Sequence, residues 1–284
     1  MKLQLTVYFT YIFIVYAGIV AYSCQSDSRP NKNTGSGNSF DNRRSPLMLD
    51  LIRAEEMFAA GEPRHALELI DELASKQPQW ADLYLLKGNI LTTVSQNGRA
   101  RSAYEKLVKI DPDYLSAWFK LGNNAYRNKQ YRQAINFYNQ ELTGKQANVL
   151  QSKDKQITML QIGRCYMHLG EADSALIIYK KCIKIDSLYS EVMGDLARLY
   201  TDNGEYKTAI AFANKAVALD KKNIDYKYSL GTVYLKTNQY MQAVAYLQEV
   251  ADQRPFYEGV YYNLGQAFIR SGNNITGSQS LLKA

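Results

Sequence analysis

Apolar and small side chains alternate with polar positions in a pattern that repeats along most of the chain. From about residue 47 onward the pattern returns every 34 residues, except for one step of 41 residues between its third and fourth copies. One column of small residues is Ala54, Gly88, Gly122, Gly163, Ala197, Gly231 and Gly265. A second column is Ala66, Ala100, Ala134, Ala175, Ala209, Ala243 and Gly277. Two antiparallel helices of about a dozen residues each, crossing closely where only Gly or Ala fits, would produce both columns.

Larger apolar residues occupy further columns around that crossing. The first helix of each pair contributes Met57, Leu91, Ala125, Tyr166, Tyr200, Tyr234 and Phe268. The second helix contributes Ile70, Tyr104, Tyr138, Tyr179, Ala213, Leu247 and Leu281. A residue that tolerates the left-handed conformation recurs between the helices, at Gly61, Gly170, Gly204, Asn238 and Gly272. The pairs are expected to end near Pro78, Pro112, Asp186, Asp220 and Pro255.

A 34-residue period with these columns resembles the tetratricopeptide repeat, and the resemblance covers almost everything after Pro46. It implies an all-α fold, a right-handed superhelical solenoid of about seven repeats that start near residues 47, 81, 115, 156, 190, 224 and 258. Related arrays of helical pairs are the alternative, and they would also be solenoids. The extra seven residues fall between Thr143 and Ile157, where they could lengthen a helix or form a loop.

The resemblance also implies a binding surface, because the first helices of such repeats line a concave groove that receives extended or helical partner segments. Helical spacing selects the side chains that would face the groove. The candidate partner-binding residues are Asn89, Phe119, Lys120, Asn123, Tyr126, Arg127, Arg164, Arg198, Tyr228 and Tyr262.

Four of these candidates, Lys120, Arg127, Arg164 and Arg198, make the middle of the groove basic. Arg and Asn side chains donate hydrogen bonds to peptide carbonyls and carboxylates, so the pattern favours a protein or peptide partner with acidic character. The competing interpretation is a solvated charged face. Binding of chaperone tails is not predicted, since Leu85 and Phe119 stand where that two-carboxylate clamp would need a lysine.

The first 46 residues differ from the rest. Met1 and Lys2 precede an uncharged apolar run, which predicts a secretory signal peptide over residues 1–23. Cys24 directly after Ser23 resembles the bacterial lipobox, although Ala21 and Tyr22 depart from its usual residues. The resemblance implies lipidation of Cys24 and a membrane anchor facing the periplasm, with the outer membrane favoured over the inner. The alternative is an uncleaved anchor, because a run of roughly 18 residues approaches spanning length.

Residues 24–46 are rich in Ser, Asn, Gly and charge, which predicts a flexible tether.

The charge, the histidines and the cysteines narrow the range of possible functions. The net charge of +7 comes from interspersed residues of both signs, which does not indicate nucleic-acid binding. His65 and His168 have no ligand-type neighbour at helical spacing, so no metal site, cofactor or catalytic residue is predicted. Cys165 and Cys182 are expected to be buried thiols, because antiparallel helices would separate them by on the order of 9 Å.

These observations favour a protein-interaction scaffold or adaptor of the bacterial cell envelope. The alternatives are a module that recognises a glycan or peptidoglycan fragment, an enzyme, and a structural spacer. The sequence stops at Ala284, inside the second helix of the seventh repeat and without a solvating cap. That last helix is therefore expected to fray or to dock against another protein, which would allow an oligomer.

Overall fold

The structure of the protein, a computed structural model, describes residues 46–284. The signal peptide over residues 1–23, the lipidation of Cys24 and nearly all of the tether fall outside the described residues and stay predictions. The described residues divide into two compact units, residues 46–110 and residues 111–284. Their regular elements are fourteen α-helices and one short 3-10 helix, which confirms the all-α prediction for this part of the chain.

The helices follow one another as antiparallel pairs in both units. The first unit contains α1 (Pro46–Ala59), α2 (Pro63–Lys76), α3 (Ala81–Thr93) and α4 (Asn97–Ile110). The second unit contains α5 (Ala117–Arg127), α6 (Tyr131–Thr143), α7 (Ser152–His168), α8 (Ala172–Ile185), α9 (Ser190–Asp202), α10 (Tyr206–Leu219), α11 (Ile224–Lys236), α12 (Tyr240–Gln253), α13 (Val260–Arg270) and α14 (Asn274–Leu281).

The turn inside each pair contains one residue in the left-handed conformation. These residues are Gly61, Ser95, Lys129, Gly170, Gly204, Asn238 and Gly272. Five of them were predicted as turn residues, and the structure confirms those five. Ser95 and Lys129 adopt the same conformation without the freedom of glycine, because the helices that flank the turn determine the backbone path there.

In each pair a small residue of the first helix faces the residue sixteen positions later, which is larger in every pair except Ala197 with Ala213. A Cβ atom added to Gly88, Gly122 or Gly163 would overlap the ring of Tyr104, Tyr138 or Tyr179, respectively. All three tyrosines are fully buried. Where the first helix carries Ala instead, the facing residue is smaller, as in Ala54 with Ile70 and Ala197 with Ala213. The predicted columns of small and large residues are therefore the helix-crossing contacts.

The extra seven residues both lengthen a helix and add a connecting segment, the two outcomes that the sequence leaves open. A 3-10 helix forms at Lys145–Asn148, and α7 begins early enough to reach 17 residues. Two glutamines fix this segment to the core. The Nε2 atom of the buried Gln146 donates to the carbonyl of Gln140 at 2.9 Å, and the Nε2 atom of the buried Gln156 donates to the carbonyl of Cys182 at 3.0 Å.

Cys165 and Cys182 are free and fully buried, as predicted. They belong to two different clusters of the core: Cys165 packs near Tyr138, whereas Cys182 packs near Tyr179. Burial raises the pKa of each thiol to about 12, so both behave as small apolar side chains. Within residues 46–284, no helix is both long enough and apolar enough to cross a lipid bilayer.

Candidate partner-binding surface

The first helices of the second unit are connected side by side. Helix α7 packs on α9, α9 on α11, and α11 on α13. Helix α5 joins the row through the side chains of Tyr126 and His168, whose Oη and Nε2 atoms lie 2.9 Å apart. We call the solvent-facing side of α5, α7, α9, α11 and α13 the first-helix face. Nine of the ten predicted partner-binding residues lie on these five helices. The tenth, Asn89, lies on α3 of the first unit.

Asn89 and Asn123 take part in the same local contact in the two units. The hydroxyl of Tyr104 donates to Oδ1 of Asn89 at 3.0 Å, and the hydroxyl of Tyr138 donates to Oδ1 of Asn123 at 2.8 Å. The ring of each tyrosine packs on the glycine that comes directly before the asparagine in the sequence, Gly88 or Gly122. The hydrogen bond orients the amide, and the Nδ2 group of Asn123 makes no hydrogen bond with another described residue. This N–H₂ group can donate to a ligand carbonyl.

An aromatic cluster surrounds His168 at the exposed end of α7. The imidazole stacks on the ring of Tyr131 with the centroids 4.6 Å apart, and it meets the ring of Tyr126 edge-on at 5.5 Å. Burial lowers the pKa of His168, and the nearby Arg198 guanidinium lowers it further. The imidazole is therefore neutral at pH 7, which suits its hydrogen bond to a tyrosine hydroxyl.

Asp195 on α9 organises the middle of the face, although it is not among the residues predicted from the sequence. Its carboxylate accepts from Nε of Arg164 at 2.7 Å and from a guanidinium nitrogen of Arg198 at 3.5 Å. The buried hydroxyl of Tyr179 donates to the same carboxylate at 3.4 Å. Burial alone would lower the pKa of Arg164, but the adjacent Asp195 carboxylate raises it overall. Both arginines are thus positioned by one buried anion.

The sequence does contain a signal for Asp195. Asp195 belongs to a column of the repeat from which only Lys120 is among the predicted binding residues. The corresponding positions of neighbouring repeats are Lys120, Gln161, Ser229 and Asn263, all of them polar. In the structure this column supplies partners to the preceding repeat. Arg164 of α7 reaches Asp195 of α9, and Tyr228 of α11 reaches Asn263 of α13.

Lys120 and Arg127 on α5 make no ion pair or side-chain hydrogen bond with a described residue. The Lys120 side chain is half-buried, and this burial, together with the Arg127 charge, lowers the pKa of its ammonium group. Arg127 is exposed. We call Lys120, Arg127, Arg164 and Arg198 the basic cluster; the Asp195 carboxylate binds two of its members, Arg164 and Arg198.

The remaining predicted residues have different environments. Phe119 is half-buried, its ring packs 5.7 Å from that of Tyr138, and its backbone N–H donates to the buried Glu141 carboxylate at 3.3 Å. Tyr228 accepts a hydrogen bond from Nδ2 of Asn263 at 2.7 Å. Tyr262 is 53% exposed. Among residues 46–284, no group of three or more His, Cys, Asp or Glu side chains could hold a metal ion.

Comparison with known families gives three matches. Residues 85–148 match one family model of the tetratricopeptide repeat, and residues 155–222 match another. Residues 202–277 match the model of the anaphase-promoting complex, cyclosome, subunit 3. A TPR repeat-containing protein of Dictyostelium discoideum is 26% identical over 125 residues, which are 44% of this chain. The chain covers 48% of that relative's length.

Solved structures agree on the fold. PilW, described as a widely conserved type IV pilus biogenesis factor, superposes with a TM-score of 0.65 at 16% identity over 77% of this chain and 98% of that one. YrrB, described as a TPR protein with an unusual peptide-binding site, gives a TM-score of 0.51 at 16% identity over 68% of this chain and 96% of that one. Likeness at this level of identity concerns the fold alone. The chain carries tetratricopeptide repeats, which the family models locate at residues 85–148 and 155–222.

Proposed function

We propose that the protein is a scaffold of the bacterial cell envelope, and that an acidic segment of a partner protein binds to the first-helix face of the second unit. The basic cluster is the observation that carries this proposal. Two of its four cations, Arg164 and Arg198, share the Asp195 carboxylate, and the other two, Lys120 and Arg127, have no counter-ion among residues 46–284. A segment with carboxylates would supply the missing anions.

The surroundings of the cluster suit a peptide as well as a charge. The Nδ2 group of Asn123 can donate to a main-chain carbonyl, and the half-buried rings of Tyr126 and Tyr131 offer apolar area next to the charges. Aromatic side chains and arginines contribute most to the free energy of protein interfaces. YrrB, whose fold is similar, has a peptide-binding site, which supports a peptide ligand for this fold.

The envelope location is a separate part of the proposal. It is supported by the signal-like residues 1–23 and by Cys24, whose lipidation would hold the protein at the periplasmic side of a membrane. The similar fold of PilW, a type IV pilus biogenesis factor, is consistent with a role in organising other proteins.

Charge reversal at the two exposed arginines tests the binding face. In the variant Arg127→Glu/Arg198→Glu, we expect the amount of the main cross-linked partner to fall at least about tenfold, because two attractive charges become repulsive. Arg164 is left unchanged because its side chain is only 30% exposed and lies 2.7 Å from the Asp195 carboxylate, whereas Arg198 is 51% exposed and lies 3.5 Å from it. The measurement is in-cell cross-linking with the full chain, followed by affinity purification and quantitative mass spectrometry.

The matched control reverses two exposed lysines on a second helix of the same unit, Lys181→Glu/Lys184→Glu on α8. It changes the net charge by the same amount and should leave the partner's recovery unchanged. Equal losses in both variants would show a response to overall charge and would contradict the assignment of this face.

A further inference from the structure

A cleft of about 910 Å³ lies towards the carboxyl-terminal end of the second unit. It is formed by α11, the start of α13 and the loop that precedes α13. This volume is within the range of sites that bind small molecules, roughly 300–1,000 Å³. Four aromatic rings line the cleft: Tyr228 from α11, Phe256 and Tyr257 from the loop, and Tyr262 from α13. We call it the aromatic cleft.

Two of the rings are held in place by hydrogen bonds within the protein. Tyr228 accepts from Nδ2 of Asn263 at 2.7 Å, and Tyr257 donates to Oδ1 of Asp225 at 2.8 Å. Their centroids are 4.6 Å apart. Gly259 makes the close approach of the loop possible, since its φ is +72° and a Cβ atom there would lie 2.9 Å from the Tyr228 hydroxyl. The cleft is therefore formed before any ligand arrives, which reduces the entropic cost of binding.

The other groups of the cleft remain available. Phe256 is fully exposed and Tyr262 is half exposed, so both present ring faces to solvent. Arg254 and Glu258 line the same cleft, and neither side chain forms a hydrogen bond or ion pair with another described residue. The cleft thus combines exposed aromatic faces with one free donor group and one free acceptor group.

The charge of the cleft separates it from the basic cluster. Among the lining residues, Glu258 balances the single guanidinium of Arg254, and the Asp225 carboxylate that binds Tyr257 adds a negative charge beside the cleft, so the cleft does not suit an acidic segment. An aliphatic side chain would use the rings but neither free polar group. The combination fits a neutral molecule that has an apolar face and carries hydroxyl groups, which both donate and accept hydrogen bonds.

We propose that the aromatic cleft binds a neutral saccharide. One C–H face of a sugar ring would pack on Phe256 or Tyr262, and neighbouring hydroxyl or acetamido groups would pair with Arg254 and Glu258. This site lies on α11, α13 and the loop before α13, whereas the basic cluster that carries the proposed protein site lies on α5, α7 and α9 of the same face. Either site can therefore fail without affecting the case for the other.

The test uses the full-length protein in a detergent without a sugar headgroup, with two neutral probes, triacetylchitotriose and maltotriose. Saturation-transfer NMR and calorimetric titration measure binding. We expect saturable binding of at least one trisaccharide, with a Kd on the order of 0.1–1 mM. The double variant Phe256→Ser/Tyr262→Ser should weaken it at least about tenfold, and Glu258→Gln should weaken it by up to about tenfold because a hydrogen bond to a charged carboxylate becomes one to a neutral amide.

Leu188→Ser is the matched control. Leu188 is 67% exposed and occupies the position of Phe256 in the loop before α9, two repeats earlier. Replacing Leu188 should not change the Kd for either trisaccharide. Absence of saturation by both trisaccharides up to about 10 mM, or equal binding by the double variant, would overturn the proposal. Binding of decaproline that depends on Phe256 and Tyr262, with neither sugar bound, would also overturn it and assign the cleft to a protein ligand.

Discussion

Replacement of Gly122 by valine is expected to lower the free energy of unfolding by about 3 kcal/mol, because the new side chain has no space. Any Cβ atom at this position would overlap the ring of Tyr138, which is fully buried and cannot move aside. Urea denaturation followed by circular dichroism measures the effect as a lower midpoint. Gly98→Ala is the control, since no atom lies within 4 Å of a Cβ atom there, and it should leave the midpoint nearly unchanged.

A double-mutant cycle tests the same contact from both sides. The milder Gly122→Ala is combined with Tyr138→Ile, which copies the natural pair Ala54 and Ile70. We expect the double variant to lose about 1–2 kcal/mol less free energy of unfolding than the sum of the losses of the two single variants. Strict additivity would mean that the two side chains do not limit each other's size.

Replacement of Asp195 by alanine is expected to lower the free energy of unfolding by about 2 kcal/mol. The change removes the counter-ion of Arg164 and Arg198 and the acceptor of the buried Tyr179 hydroxyl. Breaking a fully buried ion pair costs about 3–5 kcal/mol, but the two arginine side chains are 30% and 51% exposed, so water offsets part of the loss. The urea midpoint reports this effect as well.

Asp202→Ala is the control on the same helix, because Asp202 is exposed and forms no hydrogen bond or ion pair with a described residue. Its midpoint should match that of the unaltered protein. If Asp202→Ala lowered the stability as much as Asp195→Ala, both losses would reflect a general effect of replacing Asp by Ala on α9. The contacts of the buried Asp195 carboxylate would then have no special role.

The repeating columns predict the helix pairs because the contact between the two helices is local. Gly122 and Tyr138 are sixteen residues apart, so their relation recurs visibly at each period of the sequence. The same holds for the glycines in the turns. Ser95 and Lys129 were missed, since their left-handed conformation is set by the neighbouring helices rather than by their own side chains.

Contacts between repeats were harder to predict. The pairing of Arg164 with Asp195 joins residues from two repeats, so the basic character of the surface was predicted but its internal carboxylate was not. The aromatic cleft was missed for a similar reason. Tyr228 and Tyr262 were assigned to the groove, and Pro255 was considered only as the end of a helix. Their convergence depends on the left-handed loop conformation at Gly259. Ser116, the equivalent residue of the third repeat, has the same conformation but is not glycine, so the sequence shows no recurring glycine at this position.

Site-specific photo-cross-linking in living cells tests the central proposal, a partner segment on the first-helix face, most directly. The full chain carries p-benzoylphenylalanine in place of Arg127 on α5, or in place of Lys181 on α8 as the comparison. Both positions are exposed. We expect a discrete cross-linked protein species from position 127 and none from position 181. Cross-linking from position 181 alone, or none from either position, would contradict it.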